Sequence, residues 1–263
     1  MNIVNYCVIC NSKDLKSSPA RMHKFVVDRM TNAPIGPNGF LNCALLNCNN
    51  CDFMGTNVRF TTEEEMRFYR NYMKDEYINH RCTYDGEFIR GILQSFNTDD
   101  YKITRRNKIS QVLPKTLNLS TINSVLDYGG DTGFIIPTEL NHAKKYLLDV
   151  DVRENNNEVI SITSADESGP IDLIICSHVL EHVSFPLTMI DHIKTFMNNN
   201  SYLYLEVPKE PFTEPGVHEH INRFNDNNLR YILEHSGFEI MIMEDLKYEK
   251  YVDSAFYALC KLK

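Results

Sequence analysis

The chain has 263 residues, 43% of them hydrophobic, and a formal net charge of −8. That length holds one α/β domain of ~150–200 residues with an accessory module. The acidic balance argues against a nucleic-acid partner, whose phosphates call for clustered lysine and arginine. No apolar run approaches the ~18 residues of a membrane span, so no membrane role is expected.

The N-terminal MNIVNYCVIC lacks the apolar core and small-residue cleavage site of a secretory signal, which predicts a cytoplasmic protein. In that compartment the eight cysteines read as free thiols or metal ligands rather than disulfides. Residues 1–55 hold five of the eight and are loop-rich, with Pro19, Pro34, Gly36, Pro37 and Gly39. Cys7-Val-Ile-Cys10 and Cys48-Asn-Asn-Cys51 form two CxxC pairs, each able to set two thiolates ~2.3 Å from one tetrahedral Zn²⁺. The 37 residues between the pairs exceed the commonest zinc-ribbon spacing, and Cys43 is a spare able to replace one ligand. Four thiolates leave no open position, so the expected metal is structural. It would substitute for a core that a ~55-residue module cannot build alone. Cys82, Cys176 and Cys260 fall in helix or strand patterns and read as core residues.

Residues 60–82 read as one helix, capped by Thr61 or Thr62 and acidic in its first turn. Tyr69, Tyr72 and Tyr77 on it are core residues or cleft-lining ones. Arg67, Arg70 and Arg81 are a solvated face or clamps for a phosphate-bearing acceptor. Helices over 84–96 and 104–113 complete a connector, residues 56–115, on the acceptor side of the main domain, residues 116–263. From residue 122 strands and helices alternate. Strands are expected at 124–126, 145–148, 159–162, 172–176 and 202–207, and a helix at 186–197. A helix at 226–236 closed by Gly237 and strands at 238–243 and 254–261 follow. The pattern predicts an α/β, Rossmann-like, doubly wound and mostly parallel sheet.

Such a sheet binds ligands at the carboxyl ends of its strands. Asp127, Gly129, Gly130, Asp131 and Gly133 in VLDYGGDTG (125–133) are expected there, on a turn handing a buried strand to a helix. The segment IDLIICSHVLEHV (171–183) supplies a second buried strand running into Ser177, His178, Glu181 and His182. Glu181 and His182 have a structural reading, as a carboxylate at a helix N-terminus and a core histidine.

Together these two segments resemble the cofactor half of class I S-adenosylmethionine-dependent methyltransferases. The resemblance implies that the turn and the Ser177–His178 region hold S-adenosylmethionine. A carboxylate after the second strand would take the ribose hydroxyls. Asp149 lies 22 residues after Asp127 and is preferred to Asp151. Asp131 stands where the family has its middle glycine, which reshapes the turn or puts a carboxylate near the methionine ammonium.

The two CxxC pairs, YRNYMKDEY, LEVP (205–208) and EHINRFNDNNLRYILEHSGFEI from Glu219 narrow the likeness. They resemble bacterial sugar C-methyltransferases and methyltransferases of surface-polysaccharide clusters, which implies a small polar acceptor such as a nucleotide-linked sugar. In the sugar enzymes the acceptor region is similar to Tyr-x-Glu-His. Here Glu219 and His220 match, but Val217 replaces the tyrosine, which favours methylation of oxygen or nitrogen over carbon. His220 is then the expected base, with Glu219 orienting it or binding the acceptor. His218 is a second candidate, and His178 stands at the cleft mouth. Competing readings are a sugar C-methyltransferase and a non-catalytic zinc-ribbon binding protein with a degenerate cofactor fold.

Overall fold

The computed structural model describes residues 1–31, 41–151, 158–210, 216–248 and 254–263. Pro34, Gly36, Pro37 and Gly39 lie outside the described residues.

The chain begins with β1 (Asn2–Ile3), β2 (Leu15–Met22), α1 (Lys24–Met30), β3 (Leu41–Cys48), β4 (Met54–Thr56) and β5 (Val58–Arg59). Four helices follow: α2 (Thr62–Tyr69), α3 (Asp75–Asp85), α4 (Phe88–Phe96) and α5 (Asp99–Val112). The alternating region supplies β6 (Ser124–Tyr128), β7 (Lys144–Leu148), β8 (Val159–Ser161), β9 (Leu173–Ser177), α6 (Pro186–Lys194) and β10 (Tyr202–Pro208). Two short strands, β11 (Gly216–Val217) and β12 (Asn222–Arg223), precede α7 (Asp226–His235), β13 (Phe238–Leu246) and β14 (Ala255–Leu262).

Seven strands form the main sheet in the order β13-β14-β10-β9-β6-β7-β8. β8, β7, β6, β9 and β10 are mutually parallel, and β14 runs antiparallel to both β10 and β13. Alternate residues of each strand face opposite sides. Leu126, Ile174, Cys176, Leu203 and Leu205 pack with Ile190 and Ile193 of α6 and Leu229 and Ile232 of α7. Val125, Leu173, Ile175 and Tyr204 pack on the other face with Ile109 and Val112 of α5. Each such fully buried leucine or isoleucine contributes roughly 1.5–3 kcal/mol of transfer free energy. The helix that completes the second layer therefore comes from before the first sheet strand.

Three expectations change. The helix predicted over 60–82 is two, because Asn71 and Met73 take left-handed backbone (φ 54° and 56°) and break it between α2 and α3. Its start is as read: Thr61 and Glu64 form a reciprocal capping box. The glycine-rich turn does not lead into an α-helix. Among the described residues, only a single 3₁₀ turn (Thr138–Leu140) lies between β6 and β7, and another (Ala165–Glu167) between β8 and β9. Neither stretch carries an apolar stripe long enough to sustain three or four turns. The third change concerns the N-terminal region. Its five-stranded sheet has the order β11-β2-β3-β4-β12, so residues 216–217 and 222–223 supply both edges. Cys82, Cys176 and Cys260 are buried, as their patterns predicted.

Candidate active site

β6 ends in Asp127 and Tyr128, and the turn folds back over them. Asp127 is fully buried, and neither carboxylate oxygen makes a hydrogen bond. Burial raises its pKa to about 8, against the pull of Arg105. A Cβ on Gly130 would lie 1.9 Å from the Asp127 Cγ, so glycine is obligatory while that carboxyl occupies this space. Asp131 has φ 60°, the left-handed region for which glycine is the default and Asp is among the few other residues tolerated. The middle-glycine replacement thus keeps the glycine conformation. The Asp131 N–H donates to Asp149 Oδ2 and the Asp151 N–H donates to Asp149 Oδ1, both at 2.9 Å. Asp149 therefore ties the two loops together, while Asp151 lies 3.6 Å from Lys74 Nζ.

Two cavities meet at this turn. One, of about 620 Å³, is lined by Gly129, Asp131, Asp149, Asp151, Val179 and Phe185, among others. The other, of about 570 Å³, is lined by Gly130, Ser177, Glu181, Glu210, Glu219 and His220, among others. Tyr72, Gly129, Asp131, His178 and His182 border both. The first sets Asp149 and Asp151 against apolar walls, as a nucleoside requires; the second sets His220 among Glu181, Glu210 and Glu219.

His178, just past β9, has φ 58° and is clasped by two carboxylates. Its Nε2 is 2.9 Å from Glu206 and its Nδ1 is 3.4 Å from Glu181. Burial opposes its charged form, but these two acids win and raise its pKa. Glu206, in β10, also accepts from the hydroxyls of Tyr204 (2.7 Å) and Tyr248 (2.5 Å), and despite burial its pKa falls to about 2. Arg105 of α5 donates to Ser177 Oγ at 2.7 Å. Sequence reasoning does not reach Glu206, Arg105 or Tyr248. A lone glutamate inside the apolar strand LYLEVP is the one visible signal.

On the acceptor side, His220 Nδ1 meets Glu210 at 2.5 Å. Burial works against the imidazolium, but the Glu210 hydrogen bond outweighs it and lifts the His220 pKa to about 9. A base role for His220 therefore requires that a proton leave first. His182 lies 4.6 Å from His220, ring to ring, and burial lowers its pKa. Its Nδ1 is 3.3 Å from the Glu219 carbonyl oxygen. Glu219 does not orient His220: its carboxylate accepts from Tyr77 (2.9 Å) and Arg81 (2.7 Å). His218 stacks on His23 and lies 3.2 Å from Arg81, and it borders neither cavity.

Arg81 is thus held by Asp85 and Glu219, and none of Arg67, Arg70 and Arg81 lines either cavity. Lys102, Arg105 and Lys209 line the second one instead. Tyr69 and Tyr72 line the first, and the Tyr69 hydroxyl is buried without a hydrogen bond. Tyr77 is core.

Away from the cleft, the sulfurs of Cys7, Cys10, Cys48 and Cys51 lie within 4.8 Å of one another. Cys7–Cys51 is 3.6 Å and Cys10–Cys48 is 3.4 Å, near the ~3.8 Å between ligands of a tetrahedral thiolate site with ~2.3 Å bonds. The Ile9 N–H donates to Cys7 Sγ at 3.4 Å. The contact with Cys51, together with nearby amides, lowers the Cys7 pKa to about 5. The donor set fits a zinc ion. Cys43 stands outside it, on β3, where burial pushes its thiol up to about 11.

A sheet with one antiparallel strand inserted beside its last, and an acid–glycine turn under a nucleoside-sized cleft, defines the class I methyltransferase fold. The profile of a methyltransferase domain family matches residues 101–241, more than half of the chain, and the chain belongs to that family. It is an S-adenosylmethionine-dependent methyltransferase. Asp149 and Asp151, both on the first cavity, fit a ligand with a ribose, while the Asp127 carboxylate lies beneath the turn without a hydrogen bond and borders neither cavity. Among solved structures, the chain is similar to the 1,6-didemethyltoxoflavin-N1-methyltransferase of Burkholderia thailandensis, with bound 1,6-didemethyltoxoflavin and S-adenosylhomocysteine. The TM-score is 0.57 at 13% identity, over 84% of this chain and 96% of that one. It is also similar to the magnesium protoporphyrin IX methyltransferase of Synechocystis PCC 6803, with TM-score 0.50 and 18% identity over 74% and 98%. These likenesses establish the fold. No curated protein matches the chain. No helix among the described residues is long and apolar enough to cross a membrane.

Proposed function

We propose that the enzyme methylates an oxygen or nitrogen of a small polar metabolite, a nucleotide-linked sugar or other surface-polysaccharide precursor. S-adenosylmethionine, when bound, supplies an electrophilic methyl group. In this reading Asp149 meets the ribose, with Asp151 beside it. The glycine turn, Asp127, Ser177 and His178 surround the methionine part, and the acceptor enters the second cavity. The carrying observation is that this cavity opens from the same turn onto His182 and His220, with Lys102 and Lys209 on its wall to meet an anionic acceptor. Val217 supports oxygen or nitrogen over carbon. It is a buried strand residue paired with Met22 and brings no hydroxyl to the site.

Glu219 lines the acceptor cavity with its carboxylate held by Arg81 and Tyr77, and His218, against Arg81, is a positioning group in this reading. The four cysteines hold a structural zinc ion. The test is incubation with labelled cofactor and a pool of nucleotide sugars and phosphorylated amines, read by mass spectrometry. A product heavier by one methylene supports the reading. Turnover confined to acceptors lacking phosphate, or to a carbon atom, overturns the acceptor class or the acceptor atom.

A further inference from the structure

We propose that Glu181, His182 and His220 form a binding site for a first-row divalent transition cation on the wall of the acceptor cavity. One candidate ligand atom from each lies within 4.8 Å of the other two, and all three residues line the 570 Å³ cavity. Two imidazoles and one carboxylate gathered on one side are a donor set for such ions that leaves coordination positions open.

The surroundings carry the inference further than proximity does. Glu181 is 1% exposed, and neither of its carboxylate oxygens makes a hydrogen bond. Its nearest basic atoms are His178 Nδ1 at 3.4 Å and His182 Nε2 at 3.7 Å. A buried carboxylate is costly unless positive charge offsets it, and the imidazolium nearest Glu181, that of His178, is shared with Glu206. Both histidines are oriented from behind. His220 Nδ1 faces the Glu210 carboxylate, and His182 Nδ1 faces the Glu219 carbonyl. These contacts hold each Nδ1 as the donor, and a cation bound at Nε2 would displace the second proton of the His220 imidazolium. Metal-ligating histidines are ordinarily held this way, with a carboxylate or carbonyl on the second nitrogen.

The backbone holds the ligands in place as well. Asn222 Nδ2 donates to the carbonyls of Leu180 and Val183, and the Asn222 N–H donates to the Glu181 carbonyl. Arg59 Nη1 in turn donates to Asn222 Oδ1. The turn carrying Glu181 and His182 is thus bolted to the strand that follows His220. The open positions face the cavity and suit a hydroxyl oxygen of the acceptor. This last clause rests on the acceptor reading above; the cation site does not.

The test is titration of the 263-residue chain, its cysteine site loaded with zinc, with Mn²⁺ followed by electron paramagnetic resonance and separately with Ni²⁺ by calorimetry. Mn²⁺ has little affinity for thiolates, so the cysteines do not confuse the count. One ion per chain is expected. Glu181→Gln and His220→Gln are each expected to weaken binding at least tenfold, with far-UV circular dichroism unchanged. Absence of binding for both ions, or binding indifferent to both substitutions, overturns the site. S-adenosylhomocysteine binding, measured on the same samples, separates the two readings. S-adenosylhomocysteine binding in protein that takes up neither ion sinks only the cation site, and metal binding in protein that does not bind S-adenosylhomocysteine sinks the proposed function.

Discussion

The Asp127 carboxyl occupies the space where a side chain on Gly130 would begin, its Cγ only 1.9 Å from the position a Cβ there would take. The cofactor turn is therefore closed from beneath by its own acid. Gly130→Ala is expected to force either the carboxyl or the turn to move, at a cost of about 1–3 kcal/mol. Calorimetry should show a lower melting temperature and at least tenfold weaker S-adenosylhomocysteine binding.

That same carboxyl has a stability signature. Its folded pKa, raised to about 8, lies above the ordinary aspartate value. The folded state then binds more protons than the unfolded one between about pH 4 and pH 8. Stability is lost as pH rises through that window, by up to about 1.4 kcal/mol per pH unit. Asp127→Asn is expected to melt higher than wild type at pH 7.5 and to lose that advantage near pH 4. Equal melting differences at both pH values would contradict the assignment.

Asp149 accepts from two loop amides, those of Asp131 and Asp151. S-adenosylhomocysteine should raise the melting temperature of wild type, by about 2.7 kcal/mol of stability at a hundredfold excess over Kd. Asp149→Ala should abolish most of that shift, and Asp151→Ala should leave it largely intact. The reverse ranking would transfer the ribose role to Asp151.

Glu206 accepts from His178, Tyr204 and Tyr248. Removing one donor leaves a buried carboxylate less satisfied. Tyr248→Phe is expected to destabilise by about 1–3 kcal/mol in urea titration.

The cysteine group should carry one zinc ion per chain by elemental analysis. Cys10→Ser should lose it and lower the melting temperature by several degrees. Full zinc occupancy in that variant would exclude the four-sulfur site.

Much of this architecture is written in apolar runs. β6, β9 and β10 are continuous buried stretches, and the acid–glycine turn after β6 announces itself. Both CxxC pairs are legible because their spacing is the chemistry. The break at Asn71 and Met73 is hidden, since apolar residues continue at helical spacing across it. β11 and β12 are two residues each and carry no period to detect. The partner of His220 escapes a linear reading because Glu219 is its neighbour in sequence. Glu210 reaches it only once the chain after β10 has returned, and Arg81 and Tyr77 claim Glu219 from a helix more than a hundred residues away.

Consider finally the edges of the N-terminal sheet. The outer edge of β2 at Arg21 and Met22, and that of β4 at Met54 and Gly55, must wait for residues 216–217 and 222–223 to be paired. A nascent polypeptide leaving the ribosome would present both margins bare until most of the protein had been synthesised, and bare margins invite pairing with other chains. Expression of the first 55 residues alone should accordingly give aggregates, whatever metal is supplied.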